Sequence, residues 1–153
     1  MSKFDDMIKI ADRHADRIEM ALLWLRYLFP IDARKVKDLT DQEFSFIEVL
    51  INRFAKLQDY LGAKVFDEFL RLVDDYSEDA TTLDKLNKLE RLKIIENVDL
   101  WRQMREVRNH IAHEYPDDPA LTAKYLNQIY ILAPKLLGIL ETLKRKALPL
   151  VIM

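Results

Sequence analysis

Apolar residues recur at alternating spacings of four and three from Phe4 to Phe29, which places them on one face of a single amphipathic helix. Pro30 is expected to end this helix, because proline lacks the amide hydrogen that a helix interior requires. The pattern is carried by Phe4, Ile8, Ala11, Ala15, Ile18, Leu22, Leu25 and Phe29.

A second long helix is predicted to begin after Thr40. Thr40 and Glu43 have the spacing of a capping box, and the apolar period behind them continues to Leu72, with Gly62 as a position where the helix bends. The polar residues 74–82 separate this helix from a shorter one. That shorter helix is marked by Leu83, Leu86, Leu89 and Leu92.

Two further helices complete the chain. One starts at Asn97 or Asp99, either of which can cap it, and turns Leu100, Met104, Val107 and Ile111 to the core. The last has Asp118 as its N-cap and Pro119 in its first turn, and Pro134 is expected to kink it. Its apolar stripe comprises Leu121, Tyr125, Ile129, Leu132, Leu136, Ile139 and Leu143.

These helices predict an all-α fold. Amphipathic helices joined by short connections pack as an up-and-down bundle, so we expect about five helices, with about four in the bundle. Residues 1–153 are expected to form one domain, because the length suits a single core. Residues 147–153 form an apolar C-terminal tail that has no place in the helical pattern and is expected to cover the bundle end or pack on a partner.

Composition limits the classes of function. With 24 Lys+Arg against 26 Asp+Glu, the net charge of -2 supplies no overall attraction for nucleic acid or an anionic membrane, so any RNA binding must be local. The absence of cysteine excludes disulfides and thiolate chemistry. The acidic N-terminus and the lack of a long uncharged stretch predict a cytoplasmic protein that does not enter membranes. No cofactor or metal is predicted.

Candidate chemistry is concentrated in residues 108–115, which read RNHIAHEY. Metal-free RNA cleavage needs a group that moves the proton of the ribose 2′-hydroxyl and a fixed positive charge on the phosphate. His113 suits the first role and Arg108 the second. Asn109, one turn before His113, is placed to orient the imidazole or the phosphate. Arg102 and Arg105 are candidates to extend the RNA-binding surface.

The spacing inside this motif favours a dimer. On one ideal helix, Arg108 and His113 diverge by about 140°, so they do not easily grip the same phosphate. Two copies of the helix meeting across a two-fold axis would bring both residues of both chains to one cleft. Tyr115 precedes Pro116 and is therefore expected to end the helix in an extended conformation.

The motif at Arg108, Asn109, His113 and Tyr115, near the end of a penultimate helix in a small all-α chain, resembles the HEPN superfamily (higher eukaryotes and prokaryotes nucleotide-binding domain). More narrowly, it is similar to the HepT-type toxins of toxin–antitoxin pairs. The resemblance implies a metal-independent endoribonuclease that acts as a homodimer, with Arg108 and His113 of both subunits lining the cleft. It also implies a minimal nucleotidyltransferase antitoxin as partner, which transfers AMP to Tyr115.

Other interpretations stay open. Some HEPN proteins are non-toxic subunits that bind substrate for a nucleotidyltransferase, and a purely structural module that recruits another helix is a third reading. Arg108 and His113 have ordinary explanations as solvated surface charges near a helix end. His110 and His113 have a spacing that suits a shared metal, but no third ligand follows. Aromatic residues expected in the core rather than on a base-stacking surface are Trp24, Trp101, Phe54, Phe66 and Phe69.

Overall fold

The structure, a computed structural model, describes residues 2–111 and 117–151, and all regular secondary structure in those ranges is helical. The prediction of an all-α fold is therefore confirmed. A 3-10 turn follows the first helix, and a π-helical turn joins the third to the fourth. The elements are α1 (Lys3–Leu25), the 3-10 turn (Arg26–Leu28), α2 (Ala33–Lys37), α3 (Asp41–Tyr60), the π turn (Leu61–Val65), α4 (Phe66–Leu72), α5 (Thr82–Arg91), α6 (Val98–Ile111) and α7 (Pro119–Val151).

Side-chain caps fix the starts of the helices. At α3 the Glu43 amide donates to Thr40 Oγ1 at 3.1 Å and the Thr40 amide donates to Glu43 Oε1 at 2.9 Å, which confirms the predicted capping box. At α7 the Leu121 amide donates to Asp118 Oδ1 at 3.0 Å, so Asp118 caps this helix, as predicted. Each cap satisfies an amide that the helix itself leaves without an acceptor.

Contacts between side chains define the relative directions of the long helices. α1 and α3 are antiparallel, since His14 meets Arg53 while Trp24, further along α1, meets Phe46, earlier in α3. α7 is antiparallel to α1, because Lys144 pairs with Asp12 and Asn127 bonds the backbone of Ile31 after α1. α6 packs against α3, α5 and α7.

The core contains most of the predicted apolar positions. Phe54 and Ile129 are fully buried, and Trp101, Phe66 and Phe69 are almost completely buried, as expected. The prediction for Trp24 was wrong: its side chain is 57% exposed and stacks on Phe46 at a centroid distance of 5.8 Å. Trp24 lies outside the apolar stripe of α1 by one position, next to Leu25, which takes the buried place.

Two local features differ from the sequence prediction. The short helix α2 was not anticipated, because none of its residues is buried and it therefore carries no apolar stripe. α7 continues through Pro134 and Pro149 to Val151. Residues 147–151 are thus the last turns of α7 rather than a separate tail, with Ala147 buried against the core and Leu148 exposed.

Candidate functional site

Helix α6 carries the motif and is anchored at both its start and its inner face. The Leu100 amide donates to Asn97 Oδ1 at 2.7 Å, and the Val98 amide donates to Glu90 Oε1 at 2.9 Å. Of the two predicted caps, Asn97 is the one observed. The inner face of the helix is buried through Leu100, Trp101, Met104 and Val107.

The outer part of α6 borders an open cleft of about 580 Å³. Its floor is the edge of the core at Phe66 and Trp101, whose rings are tilted at a centroid distance of 4.7 Å. The opposite wall is formed by Gly62 and Ala63 of the π turn, and the first turns of α5 close one end. Three polar residues of α6 reach this cleft: Arg105, Arg108 and Asn109.

Arg108 is held in this cleft by Asp59, in the last turn of α3. The Arg108 Nε donates to Oδ1 and Oδ2 of Asp59 at 3.0 and 3.2 Å, and Nη2 donates to Oδ2 at 2.9 Å. The Arg108 side chain is partly buried, with 27% of it exposed to solvent. The hydrogen bond from Arg108 to Asp59 raises the pKa of the arginine, which is therefore fully charged.

Arg105 shares the same carboxylate. Its Nη1 donates to Asp59 Oδ1 at 3.1 Å and also to Gln58 Oε1 at 3.1 Å. Gln58 is completely buried, the only polar residue so buried in the described parts of the chain. Its Nε2 finds no hydrogen-bond acceptor among the described residues. Two consecutive residues of α3 therefore hold the two arginines of α6 that line the cleft.

The remaining predicted site residues are placed as follows. Asn109 is exposed and lines the cleft beside Arg108. Arg102 is exposed on α6 but does not line the cleft, so the structure does not bring it together with Arg105 and Arg108. The predictions for His113 and Tyr115 concern residues 112–116, which lie outside the described part of the chain.

His110 points to a different surface of α6. Its ring stacks on Tyr125 of α7 at a centroid distance of 4.5 Å and an interplanar angle of 14°, and its Nε2 lies 3.8 Å from a carboxylate oxygen of Glu106. A second groove, of about 370 Å³, lies there between α6 and α7. His110 and Arg108 therefore do not share a site.

Sequence reasoning missed the two α3 residues, Gln58 and Asp59. Gln58 did give a signal, because it falls four residues after Phe54 and three before Leu61, at a position of the apolar stripe where a polar residue is unexpected. Asp59 gave none, since an acidic residue at the end of a helix is ordinary. Their role becomes visible only when α3 and α6 are packed together.

Within residues 2–111 and 117–151, no group of three or more His, Asp or Glu side chains is arranged to hold a metal ion. In the same part of the chain, no helix has both the length and the apolar character needed to cross a lipid bilayer. A scan against protein-family models and searches of curated proteins and of solved structures return no match.

Proposed function

We propose that this protein is a metal-independent endoribonuclease of the HEPN type, acting as the toxin of a toxin–antitoxin pair in the cytoplasm. The observation that carries the proposal is the convergence of Arg105, Arg108 and Asn109 on one open cleft. Guanidinium groups grip phosphate oxygens in pairs and stay charged at any cellular pH. A local group of such cations is what RNA binding requires in a chain whose net charge is -2.

In the proposed reaction, His113 takes the proton of a ribose 2′-hydroxyl, whose oxygen attacks the adjacent phosphorus. The bond from phosphorus to the 5′-oxygen breaks, and that oxygen takes a proton from water as it leaves. Arg108 offsets the negative charge that builds on the phosphate, and Asn109 orients the imidazole or the phosphate. The products are a 2′,3′-cyclic phosphate and a 5′-hydroxyl. Arg102 and Arg105 are proposed to bind the RNA strand next to the cleaved bond.

Two copies of the chain form the proposed active unit. A homodimer with α6 of each subunit at its two-fold axis supplies Arg108 and His113 twice to one cleft, which compensates for their divergence on a single helix. The proposed partner is a minimal nucleotidyltransferase antitoxin that transfers AMP to Tyr115. An adenylyl group on this tyrosine would add bulk and negative charge and so oppose RNA binding.

A cleavage assay with matched variants tests the activity. Purified protein is incubated with end-labelled single-stranded RNA in excess chelator, and product ends are assigned by their sensitivity to phosphatase and kinase. Wild type should leave cyclic phosphate ends. Arg108→Ala and His113→Ala should abolish cleavage, whereas Arg17→Ala, which removes an exposed cation from α1, should cut normally. If wild type leaves the RNA intact, or if it cuts equally well without Arg108 and His113, the proposal fails.

Modification is tested separately by intact mass. Co-expression with the proposed nucleotidyltransferase partner should add adenylyl masses, and Tyr115→Phe should prevent them. Additions that persist in Tyr115→Phe would place the acceptor elsewhere.

A second function is favoured by the contact between Asp59 and Arg108. A carboxylate already occupies this guanidinium, and an RNA phosphate must share it or displace it. A non-catalytic subunit that binds substrate for a nucleotidyltransferase needs a placed arginine but no cleavage. That role is supported if wild type is harmless on induction and inert on RNA while it binds the transferase tightly.

A further inference from the structure

We infer that Asp59 is a positioning residue, which orients Arg108 and Arg105 toward an RNA phosphate while leaving them able to bind it. This inference rests on the proposed ribonuclease function and adds a residue from outside the motif helix. Asp59 precedes Arg108 by 49 positions, so the motif alone gives no indication of it.

The hydrogen-bond geometry leaves one edge of Arg108 available. Asp59 engages Nε and Nη2, which form one side of the planar guanidinium. The Nη1 group of Arg108 has no acceptor among the residues that the structure describes. Because a guanidinium has five N–H donors in a rigid plane, fixing one edge also fixes the direction of the other. A phosphate oxygen can therefore bind to Nη1 while Asp59 keeps its place.

The charges of the cluster remain favourable for an anion. Arg105 and Arg108 lie three residues apart on α6, on neighbouring parts of the helix surface, so their guanidinium groups repel one another. A single carboxylate between them offsets that repulsion and leaves the trio with one net positive charge. Asp59 thus lets two cations stay close together without cancelling their attraction for phosphate.

The burial of Gln58 is a second observation that supports a positioning role for the end of α3. A buried amide group without an acceptor opposes folding, so stability alone does not favour glutamine at this position. Its carbonyl oxygen, however, accepts from Arg105 at 3.1 Å. The end of α3 therefore retains an unfavourably buried side-chain amide. Its only side-chain hydrogen bond in the described structure holds an arginine of α6.

A π turn follows the end of α3 and lies next to α6. It begins at Leu61, two residues after Asp59, and π turns within helices occur often at functional sites. A Cβ atom added at Gly62 would lie 3.2 Å from Cζ2 of Trp101, so glycine suits the close packing of α6 against the turn.

The test measures kcat and KM for cleavage of one fluorescent single-stranded RNA by the full chain. Asp59→Asn keeps the shape of the side chain and removes its charge. We expect kcat to fall by about 10- to 100-fold, because a loosely held arginine stabilises the transition state less well. KM should stay within about threefold of the wild-type value, because losing a negative charge does not weaken RNA binding. Glu48→Gln, which removes an exposed carboxylate from the same helix, should behave as wild type.

Two further readouts separate positioning from a structural role. In nitrogen-15 spectra, the Nε–H signal of Arg108 should be protected from exchange with water in wild type and lose that protection in Asp59→Asn. Gln58→Met should lower kcat without lowering the free energy of unfolding.

The outcomes distinguish this inference from the proposed function. If wild type cuts RNA and Asp59→Asn cuts as fast or faster, Asp59 merely occupies the arginine and the inference is wrong, while the ribonuclease proposal stands. If kcat falls in Gln58→Met only in proportion to lost stability, the α3 residues are structural. If wild type cuts no RNA, the ribonuclease proposal fails and the inference fails with it.

Discussion

Asp59 holds Arg108 through contacts of 2.9 to 3.2 Å that join the end of α3 to the last turn of α6. A carboxylate that accepts from two nitrogens of one guanidinium forms the strongest common type of side-chain hydrogen bond in proteins. Here the pair is partly exposed, with 27% of the arginine and 42% of the aspartate side chain open to solvent. Water therefore weakens the interaction, and its contribution to stability is modest.

We predict that Arg108→Ala lowers the free energy of unfolding by about 1 kcal/mol, since it removes a charge-assisted pair at a partly exposed site. Asp59→Ala should cost a similar amount. The double variant should cost less than the sum, with a coupling of about 0.5 to 1 kcal/mol, because each single change already breaks the same contact. Urea unfolding of the four proteins measures this coupling. Arg102→Ala is the control on the same helix, and additive losses at Asp59 and Arg108 would contradict the pairing.

The two glycines of the chain should respond in opposite ways to alanine. Gly138 lies in α7, where an added Cβ would meet nothing within 4 Å, so Gly138→Ala should stabilise the protein by about 0.5 to 1 kcal/mol through lower chain entropy in the unfolded state. At Gly62 the added Cβ would lie 3.2 Å from Trp101, which is buried against Phe66 and has little room to move.

Gly62→Ala should therefore lose this gain, and the two variants should differ by at least about 1 kcal/mol in the free energy of unfolding. Thermal and urea unfolding of both proteins give the comparison. Equal stabilisation by both substitutions would show that Trp101 can yield, and that the close packing of α6 on the π turn does not depend on glycine.

The motif helix depends on its cap. Asn97 accepts from the Leu100 amide at 2.7 Å, and Asn97→Ala should lower the free energy of unfolding by about 1 kcal/mol, because that amide then lacks an acceptor within the protein. Asn52→Ala in the interior of α3 provides the control: Asn52 is exposed, and alanine is the better helix former, so stability should not fall. A loss at Asn52 equal to that at Asn97 would mean that the cap contributes nothing specific.

Most of the fold could be predicted because its information is local. The spacing of apolar residues sets which face of a helix is buried, and pairs such as Thr40 and Glu43 mark a helix start within a few residues of sequence. Where this local signal is weak, prediction failed. The residues of α2 are all at least partly exposed, and Trp24 adjoins the stripe closely enough to be assigned to it.

The candidate site could be predicted only in part. The motif identified Arg108 and Asn109, and both line the cleft. It could not identify Asp59, because the partner of an exposed arginine depends on which helices pack together, and no pattern within α6 encodes that. The same reason explains why Arg105 and Arg102 differ: the first is within reach of α3, and the second is not.

His14 should make the stability of the bundle depend on pH. Its Nδ1 lies 3.1 Å from Nη1 of Arg53, and since a guanidinium can only donate, this nitrogen must be unprotonated. Burial, followed by the positive charges of Arg53 and Lys56, lowers the pKa of His14 below its ordinary value. The folded state therefore binds a proton at His14 less readily than the unfolded state does.

The direction in which stability changes with pH follows from this difference in proton binding. Above the ordinary histidine pKa of about 6.5, both states are neutral and the contact with Arg53 is intact; as pH falls below it, the unfolded state gains protons first and stability is lost. Between about pH 7.5 and pH 5.5, wild type should lose more free energy of unfolding than His14→Gln, which cannot titrate. Groups that titrate identically in both proteins cancel in that difference. Urea unfolding at both pH values measures it, with a histidine titration by NMR as a direct check. A His14 pKa above the ordinary value, or equal losses in both proteins, would show that the contact with Arg53 does not control protonation.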